Sequence, residues 1–155
     1  METVLNIIYI FILIYTVIQL YKVVTVKSRV GKVLDTFSQK PRTIMIIASA
    51  ALIVLGVVNI IQTRQMISLI YIFMGGVFLY LVTEKIIFSE YGIYFNGKMV
   101  LYEEIKKWQF DRVNGGLEIE IKSLNKSSYM LIPVKVEDIG QMQKIIKSFK
   151  SKKKK

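Results

Sequence analysis

Within the first 83 positions, residues 3–21, 43–63 and 65–83 carry no charged side chain and are almost wholly apolar. Glu2, Lys22, Arg42, Arg64 and Glu84 bound them. A hydrocarbon core of roughly 30 Å needs about 20 helical residues at about 1.5 Å each. The pattern therefore predicts three transmembrane helices, over about 3–22, 43–62 and 65–83. The first stretch is rich in Val, Leu, Ile and Phe, which favour insertion by about 0.3–0.6 kcal/mol each at mid-membrane. A cleaved signal peptide is the poorer reading. The start holds Glu2 and no Lys or Arg, and Lys22-Val23-Val24-Thr25 is not a small-residue cleavage pattern.

The second and third stretches are joined by very few residues, which predicts an antiparallel helical hairpin. Ala48, Ser49, Ala50, Ala51 and Gly56 on one helix, and Gly75 and Gly76 on the other, are small enough to let the helices approach closely. Between the first two spans, the loop 23–40 has a pattern of its own. Val26, Val30, Val33, Leu34 and Phe37 recur at helical spacing, with Lys27, Arg29 and Lys32 between them. This predicts a basic amphipathic helix lying on a membrane surface.

From Glu84 the period shortens. Ile86–Ser89 reads as a strand, and Ile93-Tyr94-Phe95 and Lys98–Tyr102 flank Asn96-Gly97 as a β-hairpin. Asn-Gly suits the type I′ turn because both central residues need positive φ. Ile105–Asp111 follows, then a turn at Val113-Asn114-Gly115-Gly116. Leu117, Ile119 and Ile121 alternate with Glu118, Glu120 and Lys122 as a half-buried strand, and Tyr129–Ile132 precedes Pro133. A last helix runs from about Val136 to Lys150, with Ile139, Met142, Ile146 and Phe149 on its apolar face and Lys144 and Lys147 opposite. The predicted fold class is a three-helix membrane domain, 1–83, followed by a small α+β domain, 84–150. That domain is an antiparallel sheet or partial barrel of up to six strands, capped by the helix. A poly-Lys tail, 151–155, ends the chain.

Charge fixes an expected orientation. The chain carries 22 Lys and Arg against 11 Asp and Glu, a formal net charge of +11. Lys22, Lys27, Arg29, Lys32, Lys40 and Arg42 gather in the first loop, while the connection near Asn59–Gln65 holds only Arg64. Positive loops stay inside, so the N-terminus is expected outside and everything after Glu84 in the cytoplasm, at a plasma membrane. The chain has no Cys and no His. Disulfides, Cys/His zinc sites, haem attachment, iron–sulfur clusters, a Ser-His-Asp triad and a Cys nucleophile are all excluded. The spans contain no charge, which argues against an ion pathway or charged-substrate transporter.

Segment 88–108, FSEYGIYFNGKMVLYEEIKKW, resembles the opening of bacterial PH-like domains attached to membrane helices, through Glu90, Gly92, Ile93, Gly97, Tyr102 and Ile105. The chain is similar to an uncharacterised family of small bacterial membrane proteins with N-terminal helices and this C-terminal domain. The resemblance implies a PH-like fold over about 84–149 and no catalytic residues.

Candidate chemistry is sparse. Glu103-Glu104 are adjacent and point apart, and Glu118 and Glu120 read as a solvated face. Trp108 with Tyr102 and Phe110 reads as core rather than ligand patch. The expectation is no enzyme, no cofactor and no metal. Candidate lipid-surface contacts are Lys27, Arg29 and Lys32 in the first loop, with Lys150, Lys152, Lys153, Lys154 and Lys155 in the tail. A lysine close to an anionic leaflet gains on the order of 1 kcal/mol. The expected function is a membrane-anchored, non-catalytic interaction module that binds anionic lipid headgroups, an unidentified protein partner, or both. Nucleic acid is not an expected partner, and the oligomeric state stays open. The alternatives are an accessory subunit of a membrane complex, or an oligomeric pore.

Overall fold

The computed structural model describes residues 2–40, 42–63, 67–122 and 128–151. They divide into two compact units. One comprises residues 1–24 and 41–83, and the other residues 25–40 and 84–155.

The first unit is helical. α1 spans Glu2–Lys27, α2 Thr43–Thr63 and α3 Ser68–Thr83. Two of these helices are long and apolar enough to cross a membrane, judged by length and composition. α3 is the exception to the expected three. Its 16 residues reach only roughly 24 Å, and the start of the stretch predicted over 65–83 lies outside the described residues. α2 and α3 interlock through a reciprocal pair of glycines. A Cβ on Gly56 would sit 2.9 Å from the Ser68 carbonyl oxygen, and one on Gly75 would sit 2.7 Å from that of Ser49. Each glycine also faces an isoleucine one turn further along, Ile72 and Ile53 respectively. Only hydrogen fits at either point, so the small-residue expectation holds there. It fails at Ala48, Ala50 and Ala51, which are exposed, and at Gly76, which faces open space. α1 joins α3 through Tyr9 and Tyr71, whose rings meet edge to face at 5.5 Å and whose hydroxyls are hydrogen-bonded.

The second unit contains two antiparallel sheets and a helix. β1 is Val33–Ser38, β2 Lys85–Ser89, β3 Gly92–Phe95 and β4 Lys98–Leu101, in the order β1-β2-β3-β4. β5 (Ile105–Asp111), β6 (Gly116–Ile121) and β7 (Ser128–Pro133) form the second sheet. A 3-10 turn over Val136–Asp138 leads into α4, Ile139–Ser151. Asn96 and Gly97 take the positive φ values, 46° and 72°, that the predicted tight turn requires.

β1 corrects the amphipathic helix expected across 23–40. α1 runs on to Lys27, Gly31 turns the chain at φ 76°, and Val33–Ser38 is extended. β1 pairs along β2, with Phe37 opposite Ile86 and Ser38 opposite Lys85. Phe37 then packs edge to face on Phe88 in the core. Val26 and Val30 instead cover the opposite face of the sheet, over Ile87 and Tyr94. Apolar residues spaced for one helical face are thus shared between two faces of a sheet. The C-terminal domain is accordingly discontinuous, and the helical hairpin is inserted between its first two strands.

The main core lies between the sheets and under α4. Ile86, Phe88 and Ile93 meet Leu117, Ile119 and Ile132, and Ile139, Met142 and Ile146 close over them. α4 is held at both ends: Gln141 donates to Asp35 of β1, and Phe149 stacks on Tyr102 with centroids 4.5 Å apart. Among the described residues the two sheets do not close into a barrel. Along one side they are linked by a bridge between Gln39 and Val134, with Lys40 N–H donating to the Pro133 carbonyl.

Candidate functional site

The three candidate lysine and arginine residues of the first loop lie at the end of α1 and in the turn that leads to β1, not along one helix. Lys27 ends α1, and its ammonium lies 2.9 Å from Glu84, whose side chain is fully buried. Arg29 and Lys32 are exposed. Lys32 is tied through its carbonyl to the Glu90 N–H, beyond the far end of β2. Glu84 and Glu90 are separated by the length of β2, roughly 17–20 Å at about 3.3 Å per residue. A helix over 23–40 would have set these charges on one face; instead α1 stops at Lys27, and Arg29 and Lys32 lie in the turn before β1. In the tail, Lys150 lies in α4, while Lys152, Lys153, Lys154 and Lys155 lie outside the described residues.

Lys27 is first of all a structural partner. The second oxygen of Glu84 is buried without a hydrogen bond, so the carboxylate depends on this one cation. Lys27→Met should cost on the order of 1–3 kcal/mol, the usual penalty for a buried acceptor losing its partner. Adding Glu84→Met should recover much of it, because removing the buried carboxylate together with its half-exposed partner costs less than stranding the carboxylate. Thermal unfolding of the detergent-solubilised chain and its two variants measures the difference.

The other sequence candidates fall where packing puts them. Trp108 and Phe110 meet edge to face at 5.9 Å and line the core. Tyr102 is buried, and its hydroxyl has no partner, so desolvation pushes its pKa up. Glu118 is exposed, whereas Glu120 is largely covered and accepts from Lys106 at 2.8 Å. That hydrogen bond and charge hold the Lys106 pKa above its ordinary value. Both glutamates border a shallow open cleft on the outer face of β5–β7, with Lys107, Gln109 and Tyr129. Among the described residues, no group of three or more His, Cys, Asp or Glu could hold a metal ion.

Residues 84–151 match the family model described as Domain of unknown function (DUF5673). The match begins at Glu84, so it takes in β2 to β7 and α4 but not β1. No curated protein and no solved structure matches the chain.

Proposed function

We propose that the protein is a membrane-anchored, non-catalytic interaction module, with a PH-like domain held at the inner leaflet by spanning helices. Four strands, then three strands, then a C-terminal helix is the sequence of elements that supports the PH-like reading. The observation that carries the proposal is the insertion of α2 and α3 between β1 and β2. Chain continuity brings the end of α1, the start of α2 and the end of α3 all to the domain. The basic residues of 22–42 lie on that same side, and the α2–α3 connection holds only Arg64. With the uncharged stretch 65–83 as the third crossing, the N-terminus lies outside and the domain in the cytoplasm. The domain would there meet anionic lipid and a protein partner.

The test uses the absence of native cysteine. Single cysteines replace Gln62 at the end of α2 and Val113 in the β5–β6 turn, both exposed. A membrane-impermeant maleimide added to intact cells should label the Gln62→Cys chain. It should reach Val113→Cys only after permeabilisation. Labelling of both without permeabilisation would remove the cytoplasmic placement, and recovery of the chain in the aqueous fraction would remove the anchor.

An accessory-subunit reading draws on one face of α3, where Leu69, Phe73, Gly76 and Tyr80 are exposed at helical spacing. Stoichiometric crosslinks from that face to another protein in native membranes would favour it.

A further inference from the structure

The end of the domain where the chain passes to α2 holds an arrangement that neither the strand pattern nor the lysine runs foretell. Lys40, the last residue before Pro41, lies against the β5–β6 turn. Its backbone N–H donates to Pro133, and its ammonium donates to the carbonyl of Asn114. Gly115 in that turn has φ 71°, and a Cβ there would meet the Val134 carbonyl oxygen at 2.4 Å. The turn is fixed from inside. The Asp111 carboxylate accepts from the N–H groups of Val113 and Asn114, at 2.9 and 3.0 Å, and from the Asn114 side chain. These bonds, with a smaller contribution from Lys40, hold its pKa below the ordinary carboxylate value. Asp111 is thereby turned inward, and Arg112 and Val113 are left outward.

Val113 is 88% exposed, the highest of the large apolar side chains described. Val136, 52% exposed, lies beside the same glycine. A β-branched residue at the tip of a tightly bonded turn contributes nothing to the core, and turns ordinarily favour polar residues there. The surrounding charges are Lys40, Arg112 and Lys135, against Asp111, Glu137 and Asp138, with Glu137 3.4 Å from Lys135 and the Asp138 N–H bonded to the Lys135 carbonyl. The signs balance, so the two valines weigh more than the charge. Three chain steps separate Lys40 from Thr43, the first residue of α2, a span of at most roughly 11 Å. If α2 enters the bilayer near Thr43, chain length alone keeps Lys40 within that span of the headgroups.

We infer that the β5–β6 turn, with Lys40, Lys135 and Val136, is the surface on which the domain rests on the bilayer, Val113 entering the interface and the cations facing headgroups. The inference rests on the membrane anchoring proposed above. It replaces the amphipathic segment as the contact and gives the exposed valines an occupant, the lipid surface.

The full-length chain is reconstituted in vesicles of mixed zwitterionic and anionic lipid. Separate preparations carry one environment-sensitive fluorophore, on Val113→Cys or on Glu90→Cys at the far end of β2. Resistance to an alkaline wash reports anchoring independently. Lipids bearing a nitroxide at the headgroup should remove most of the emission from position 113 and little from position 90. Anchored protein with equal quenching at the two positions, or with no quenching at 113, overturns the inference and leaves the anchoring intact. Protein washed from the vesicles overturns both.

Discussion

Residues 84–155 produced alone will not give a folded domain. The family match begins at residue 84, yet β2 then loses its partner along β1, and Phe88 loses the ring of Phe37. Losing a buried phenylalanine costs about 3–5 kcal/mol. A complete domain has only about 5–15 kcal/mol in total, with small domains toward the low end. Adding the lost strand pairing takes the fragment to the edge of unfolding. The informative partner chain keeps residues 25–38 and joins them to 85–155 through Asn-Gly. Ser38 already pairs with Lys85, so a two-residue turn suits the gap. This shortened chain should show fixed near-ultraviolet signal from Trp108 and a cooperative thermal transition. The 84–155 fragment should show neither. A cooperative transition in the fragment would make β1 dispensable.

Gly92→Ala should be the most damaging single substitution in the sheet. A Cβ at position 92 would lie 2.1 Å from the Val100 carbonyl oxygen and 2.8 Å from the Leu101 Cα. Both are backbone atoms of the paired strand, so no rotamer change relieves the contact. Two hydrogen bonds from one hydroxyl fix the position further: Ser89 Oγ accepts from the Gly92 N–H and donates to its carbonyl, at 3.2 and 3.1 Å. Overpacking of this kind costs about 1–3 kcal/mol where side chains can yield, and more where they cannot. The expected loss is at least about 3 kcal/mol by denaturant unfolding. Gly76→Ala, with nothing within 4 Å of the added methyl, should leave stability close to that of the parent and serves as the control.

The strands from β2 to β7 and the terminal helix were readable because their signals are local. Alternation over 117–122, Asn96-Gly97 at a turn, and apolar spacing over 139–149 each need only neighbouring residues. β1 was not readable for the opposite reason. Val26, Val30, Val33, Leu34 and Phe37 fit a helical period, and what makes 33–38 a strand is an edge of β2 some fifty residues further along. Gly31 was the one local sign against the helix. In the hairpin, glycine content predicted close packing, but only the crossing of the helices decides that Gly56 and Gly75 face inward while Gly76 does not. The charges were similar. Their number was visible, but the pairing of Lys27 with Glu84 spans 57 positions, and Val113 in its turn looked like any loop residue.

The insertion between β1 and β2 also orders events during synthesis. At about 5–20 residues per second, the ribosome takes seconds to pass from Ser38 to Lys85, and throughout that interval β1 has no edge to join. Its Phe37 must wait, uncovered, until both halves of the helical excursion have been made. Completion of the four-stranded sheet is therefore a record that the excursion was finished. A chain stalled or misrouted midway would display an orphan apolar strand, the kind of surface that quality-control proteases and chaperones engage.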